Sequence, residues 1–149
     1  MTFEALYIVF RVTPFSHNIA RSLLKEPKIY FFDNALVKGD VGVQFENLMA
    51  LCLLKHLFAK IDTLGESYHL HYLHTKEKQE VDFALVHDQT IEPMIEAKYA
   101  DATPSQSLRY FHEKYHFPAY QVVQQLKHER LDGTIQVVEG LLFLQNLAL

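Results

Sequence analysis

Residues 67 to 74, 80 to 87 and 91 to 99 are three β-patterned runs joined by connections of only a few residues. Parallel neighbours need a crossover of roughly a dozen residues, so short connections of this kind make an antiparallel meander. Before it, residues 41 to 61 repeat apolar positions at helical spacing, with Asp40 placed to cap the start and Gly65 to stop the helix. Two of the three strands carry acids among apolar residues. In Glu80-Val-Asp-Phe-Ala-Leu-Val86, Val81, Phe83 and Leu85 form one apolar face, and alternation puts Asp82 on the other with Ala84 and Val86. Glu96 and Lys98 are two apart in the alternating run Met94 to Tyr99, so both side chains leave one face, about 6.5 Å apart along the strand. A carboxylate in a largely apolar layer is costly unless compensated, and a bound cation is a common compensation.

The helix contributes a third acid. Glu46 shares a face with Met49, Ala50, Leu53 and Leu57, at offsets 3, 4, 7 and 11, which aims it at the sheet. The competing reading is a first-turn Glu held by the helix dipole. For the strand acids, the competing reading is an exposed Glu96–Lys98 ion pair with Asp82 in a turn.

The flanking segments are read from the same rules. Leu6 to Val12 and Lys28 to Asp33 are expected to form a hairpin, its long connection holding a helical turn near Ile19 to Leu24. Thr103 is expected to cap a second helix, with Pro104 at its first position and Gln106 closing a capping box. That helix runs to about His116, because Phe117 precedes Pro118. Ala119 to Gln124 and Thr134 to Val138 read as strands, Asp132-Gly133 as a turn, and Leu141 to Leu149 as apolar but ambiguous. The fold class is therefore α/β, a mixed sheet flanked by helices 41 to 61 and 104 to 116, with an N-terminal hairpin over residues 1–39 and a main domain over 40–149.

With 149 residues, 49% hydrophobic and 21% charged, the chain has the composition of one ordinary globular domain. No apolar run reaches the roughly 18 residues that cross a bilayer, and the N-terminus lacks a secretion-signal pattern, so a cytoplasmic location without membrane contact is expected. Cys52, the lone cysteine, falls in the helical apolar segment and reads as a small core residue. A formal charge of -4 argues against strong nonspecific nucleic-acid binding. Lys25, Lys28, Lys76 and Lys78 are candidates for a basic face, with a solvated surface as the preferred reading of each.

The order of these segments resembles the PD-(D/E)xK, or restriction-endonuclease-like, nuclease superfamily: a helix with an acid, strands carrying Asp and Glu-x-Lys, then a helix and a strand. More narrowly it is similar to a family of domains of unknown function found C-terminal to prokaryotic AAA+ ATPase-like modules. The residues that carry the resemblance are Lys28-Ile-Tyr-Phe-Phe-Asp33, Gly42-Val-Gln-Phe-Glu-Asn47, Tyr72-Leu-His-Thr75, Glu80-Val-Asp-Phe83, Ile95-Glu-Ala-Lys98 and Pro104-Ser-Gln-Ser-Leu108. His74 stands where relatives often have Arg, and Val81-Asp82 replaces the Pro-Asp pair; neither change removes a metal ligand.

The resemblance implies a Mg²⁺- or Mn²⁺-dependent hydrolysis of DNA phosphodiester bonds. Asp82 and Glu96 would hold the metal, Lys98 would position or deprotonate water or stabilise the charge that builds up, and Glu46 would complete the inner or outer shell. No Gly-x4-Gly-Lys-Ser/Thr loop is present, so the chain itself carries no such ATPase site. It is expected to be a split product, a degenerate remnant or a piece of a longer protein, and the ATPase module or another protein is an expected partner. The rival function is a non-catalytic interaction module that kept the nuclease fold.

Other motifs compete less well. His112-Glu-Lys-Tyr-His116 is a literal H-E-x-x-H, the zinc-peptidase spacing, but it occupies a last helical turn before Phe117-Pro118 and lacks a nearby third ligand. His69 and His71 alternate onto one strand face while His74 points away, which suits satisfied strand histidines better than one metal site. Gln106 and Tyr110 match a spacing found in exonuclease members of the superfamily, and the match reads as accidental.

Overall fold

A computed structural model of the chain describes residues 1–16 and 26–147. The helical turn expected near Ile19 to Leu24, and Lys25, lie outside the described residues. Strands β1 (Val9–Val12) and β2 (Lys28–Phe31) pair antiparallel as the expected hairpin, with Val9 opposite Phe31. Helix α1 (Val41–Leu64) follows, then β3 (Tyr68–His74), β4 (Glu80–His87), β5 (Thr90–Lys98), helix α2 (Gln106–Tyr115), β6 (Ala119–Val123), β7 (Arg130–Asp132), β8 (Ile135–Glu139) and helix α3 (Gly140–Asn146). The larger sheet has the order β3-β4-β5-β6-β8-β7. β3 to β5 form the antiparallel meander, β5, β6 and β8 run parallel, and β7 closes the edge antiparallel to β8. The fold is thus the mixed α/β sheet that the sequence predicts.

The sheet is covered on both faces, which explains why its central strands are apolar almost throughout. α1 brings Met49, Ala50, Leu53 and Leu57 onto Phe83, Leu85, Ile95, Ala97 and Val122. α2 brings Leu108 and Phe111 onto Val81, Ala84, Val86, Ile91 and Met94. The hairpin joins the α1 side: Phe10, Val12 and Tyr30 are buried in the same cluster as Met49 and Phe83. It is tied to the edge of β3 by Tyr72, whose amide donates to the Thr13 carbonyl and whose carbonyl accepts from the Phe15 amide, at 3.2 and 2.9 Å. Among the described residues no helix is long and apolar enough to cross a membrane.

α1 is capped as expected. Asp40 accepts from the Val43 amide at 3.0 Å, and Gly65 closes the C-terminus at φ +67°, a conformation that costs glycine little. At α2 the expectation is corrected. The cap is Ser105, whose hydroxyl accepts from the Leu108 amide at 3.1 Å, so Thr103 and Pro104 precede the helix and exposed Gln106 closes no capping box. The second correction concerns Asp82. Between His71↔Ala84 and Leu73↔Val81 the partner strand advances two residues while β4 advances three, which is a β-bulge around Asp82 and Phe83. Simple alternation fails across a bulge. Ala84 and Val86 pack with α2, whereas Asp82 meets the hairpin and Ala97. β7 and α3 complete what the sequence left as a turn flank and an ambiguous apolar tail.

Candidate functional site

At the end of the sheet where β4 begins and β5 finishes, the β4–β5 ladder stops at Phe83↔Ile95. Beyond that pair the Asp82 side chain takes the place of a strand: its Oδ2 accepts from the Ala97 amide at 3.0 Å. The bond fixes Asp82 against the segment that carries Glu96 and Lys98. Glu96 is 5% exposed, and its Oε1 pairs with the Lys98 ammonium at 2.9 Å. Its Oε2 is buried and has no hydrogen-bond partner. On β6, Gln121 is the register partner of Glu96; its amide nitrogen donates to the carbonyls of Asp101 and Thr103, and its Oε1 is a second buried acceptor without a partner.

The hairpin and α1 complete the cluster. Lys28 Nζ stands 2.7 Å from Glu80, 3.5 Å from Asp82 and 3.6 Å from Glu46. Tyr30, two residues on and therefore on the same strand face, donates its hydroxyl to Glu46 Oε1 at 2.7 Å. Glu46 heads the buried stripe of α1, but its carboxylate meets the hairpin rather than the larger sheet, engaged by Tyr30 and Lys28. Asn47 holds β2 in place. Its side chain accepts from the Phe31 amide at 2.8 Å and donates to the Phe31 carbonyl at 3.0 Å, standing in for a strand neighbour.

Four carboxylates and two ammonium groups thus share one region, and their ionisation follows from burial and from each other. Burial pushes Asp82 up, the neighbouring charges of Glu96 and Glu46 push it further, and Lys28 and the Ala97 amide pull back, leaving it at about 7. Glu96 is also raised, by burial against the opposing pull of Lys98. Burial works against the charged forms of Lys28 and Lys98, but Asp82 and the other acids around Lys28, and Glu96 beside Lys98, hold both above the usual lysine range. Tyr30 is held in its neutral, donating form by burial and by Glu46.

All four acid and lysine positions singled out in the sequence, Glu46, Asp82, Glu96 and Lys98, lie in this cluster. Lys28, Tyr30, Glu80, Asn47 and Gln121 join them without having been singled out for a role there. For Lys28 the surface reading is corrected, since its side chain is only 23% exposed and is surrounded by acids. A signal existed in the alternation of Lys28 and Tyr30 in an apolar strand, but their partners are remote in sequence. Lys76 and Lys78, by contrast, are exposed.

The competing motifs do not assemble. Both ring nitrogens of His112 are engaged, Nδ1 with the Phe117 carbonyl at 2.7 Å and Nε2 with the Thr134 hydroxyl. His116 is the left-handed cap residue that ends α2, at φ +60°. His71 is bonded to the Thr13 carbonyl at 3.1 Å and His69 to the Ser67 hydroxyl at 3.1 Å. Cys52 is half-buried and its thiol is pushed up by burial, away from the thiolate that reactivity requires.

Among the described residues no group of three or more His, Cys, Asp and Glu side chains is disposed to hold a metal ion. The donors at Asp82 and Glu96 are nonetheless the oxygen type that Mg²⁺ and Mn²⁺ take, and those ions keep several waters. The unpartnered Glu96 Oε2 is an acceptor that a cation would satisfy, so the residues present fit such an ion.

No curated protein and no solved structure matches the sequence. Residues 41–142 match the family described as a domain of unknown function, DUF4143. The matched stretch runs from the first residue of α1 through all six strands of the larger sheet into α3, well over half of the chain, and the chain belongs to this family.

Proposed function

We propose that the domain is a metal-dependent phosphodiesterase of the restriction-endonuclease-like kind, acting on DNA. The observation that carries the reading is Glu96, buried with one oxygen unpartnered beside a second, partly buried carboxylate, Asp82. Two raised carboxylates in one place are an unfavourable arrangement for a fold alone, and a divalent cation relieves it. A Mg²⁺ or Mn²⁺ held by Asp82 and Glu96 would supply Lewis-acid activation of water and of the phosphate. Glu46 adds negative charge at the helix end of the cluster and is kept in orientation by Tyr30.

Lys98 is protonated at neutral pH, and Glu96 beside it outweighs burial and favours the charged form further. Of the roles open to it, stabilising negative charge on a phosphate therefore suits it better than taking a proton from water. It is also 38% exposed, open to a substrate, where Glu96 is not. The test is cleavage of plasmid and single-stranded DNA with Mn²⁺, wild type against Lys98→Ala. Loss of most activity in the variant supports the reading; equal activity in both, or none in either, overturns it.

One observation favours a second reading, a non-catalytic interaction module. Lys28 already stands among Glu46, Glu80 and Asp82, so part of the charge of the acid cluster is offset by the chain itself. Absence of cleavage in the same assay, with the protein folded, is the result this reading expects.

A further inference from the structure

The contacts of Lys28 are unequal in a way that bears on the metal. Its short bond, 2.7 Å, goes to Glu80, a rim residue whose side chain is 42% exposed. To Asp82, 13% exposed, and to Glu46, the distances are 3.5 and 3.6 Å. Charge-assisted N–H···O bonds are normally about 2.7–2.9 Å. The ammonium is therefore anchored at Glu80 and only leans on the two inner acids. It also lies 5.2 Å from the centroid of the Tyr72 ring, whose face offers a cation a second resting place outside the acids.

The backbone beneath it is fixed. Asn47 clamps Phe31 from α1, Tyr30 is bonded to Glu46, and β2 is paired along its length with β1. Only the four-carbon stem of Lys28 is free to reposition the charge. A divalent cation on Asp82 and the ammonium in its present place would repel across a few ångströms of half-buried space, so the two positions exclude each other.

We propose that Lys28 is a positioning residue that serves as a placeholder cation. Its ammonium leans on Glu46 and Asp82 in the metal-free protein, and swings outward about its Glu80 anchor, away from the two inner acids, when a divalent cation takes Asp82. This rests on the metal-dependent reading above and adds a competitor to it.

The test is Mn²⁺ binding to the full chain by calorimetry, with thermal unfolding of the metal-free protein, for wild type, Lys28→Gln, Lys28→Arg and Asp82→Ala. Removing the charge should lower the metal-free melting temperature and tighten Mn²⁺ binding about tenfold, roughly 1.4 kcal/mol. Lys28→Arg should bind no tighter than wild type. Binding by Lys28→Gln no tighter than wild type, with binding abolished in Asp82→Ala, overturns the placeholder and leaves the metal site standing. Absence of Mn²⁺ binding in both wild type and Lys28→Gln overturns both. If circular dichroism shows Lys28→Gln unfolded, the wild type decides through ¹⁵N-labelled lysine. A Lys28 Nζ resonance that moves on titration with Mg²⁺ supports displacement, and one unchanged up to millimolar Mg²⁺ overturns it.

Discussion

Asp82 is held well above the usual carboxylate range. In the unfolded chain it ionises near 4; folded, it is held at about 7 by burial and by Glu96 and Glu46. The folded state therefore binds more protons than the unfolded one between those values, and its contribution to stability is present below about pH 4 and lost as pH rises through 7. Asp82→Asn, which cannot ionise, should raise the stability of the metal-free protein at pH 8 by on the order of 2 kcal/mol and leave it nearly unchanged at pH 4. Chemical denaturation of the two proteins at both pH values measures this, and a variant less stable than wild type at pH 8 contradicts it. Asn47→Ala leaves the part-buried Phe31 amide and carbonyl without their Asn47 partner and should cost about 1–3 kcal/mol, read as a shift in the denaturation midpoint.

The elements show why some of this was legible and some was not. α1 and the meander follow from periodicity, caps and short connections, all local signals, and their acids were placed by counting along the chain. Strand alternation puts Asp82 on the wrong face because the bulge answers a tertiary demand: its carboxylate replaces a strand partner for Ala97, fifteen residues away. The place of Lys28 is hidden from local signals for a similar reason, since its bond to Asp82 spans 54 residues and depends on where the hairpin docks. At α2, Thr103 and Ser105 offer competing hydroxyls, and the chain uses the second. Ser105→Ala should therefore cost about 1 kcal/mol of stability and Thr103→Ala close to nothing. Equal losses in the two variants would count against the assigned cap. β7, with three residues, is too short for any periodicity to announce it.

At the scale of the whole molecule, the candidate site is the meeting point of three parts of the fold that share one apolar core. The hairpin brings Lys28 and Tyr30, α1 brings Glu46 and Asn47, and the fork between β4 and β5 brings Asp82, Glu96 and Lys98. Burying Glu96 and enclosing most of Asp82 beside it opposes folding, which is the physical ground for reading the cluster as a cation site. The direct measurement is calorimetric titration of the metal-free full chain with Mn²⁺ at pH 8, where Asp82 is ionised, beside Asp82→Ala and His112→Ala. The account predicts weak binding by the wild type, because two carboxylates leave most of the shell to water; this binding should vanish in Asp82→Ala and survive in His112→Ala. Binding that persists in Asp82→Ala, or a wild type that takes up no Mn²⁺, would contradict it.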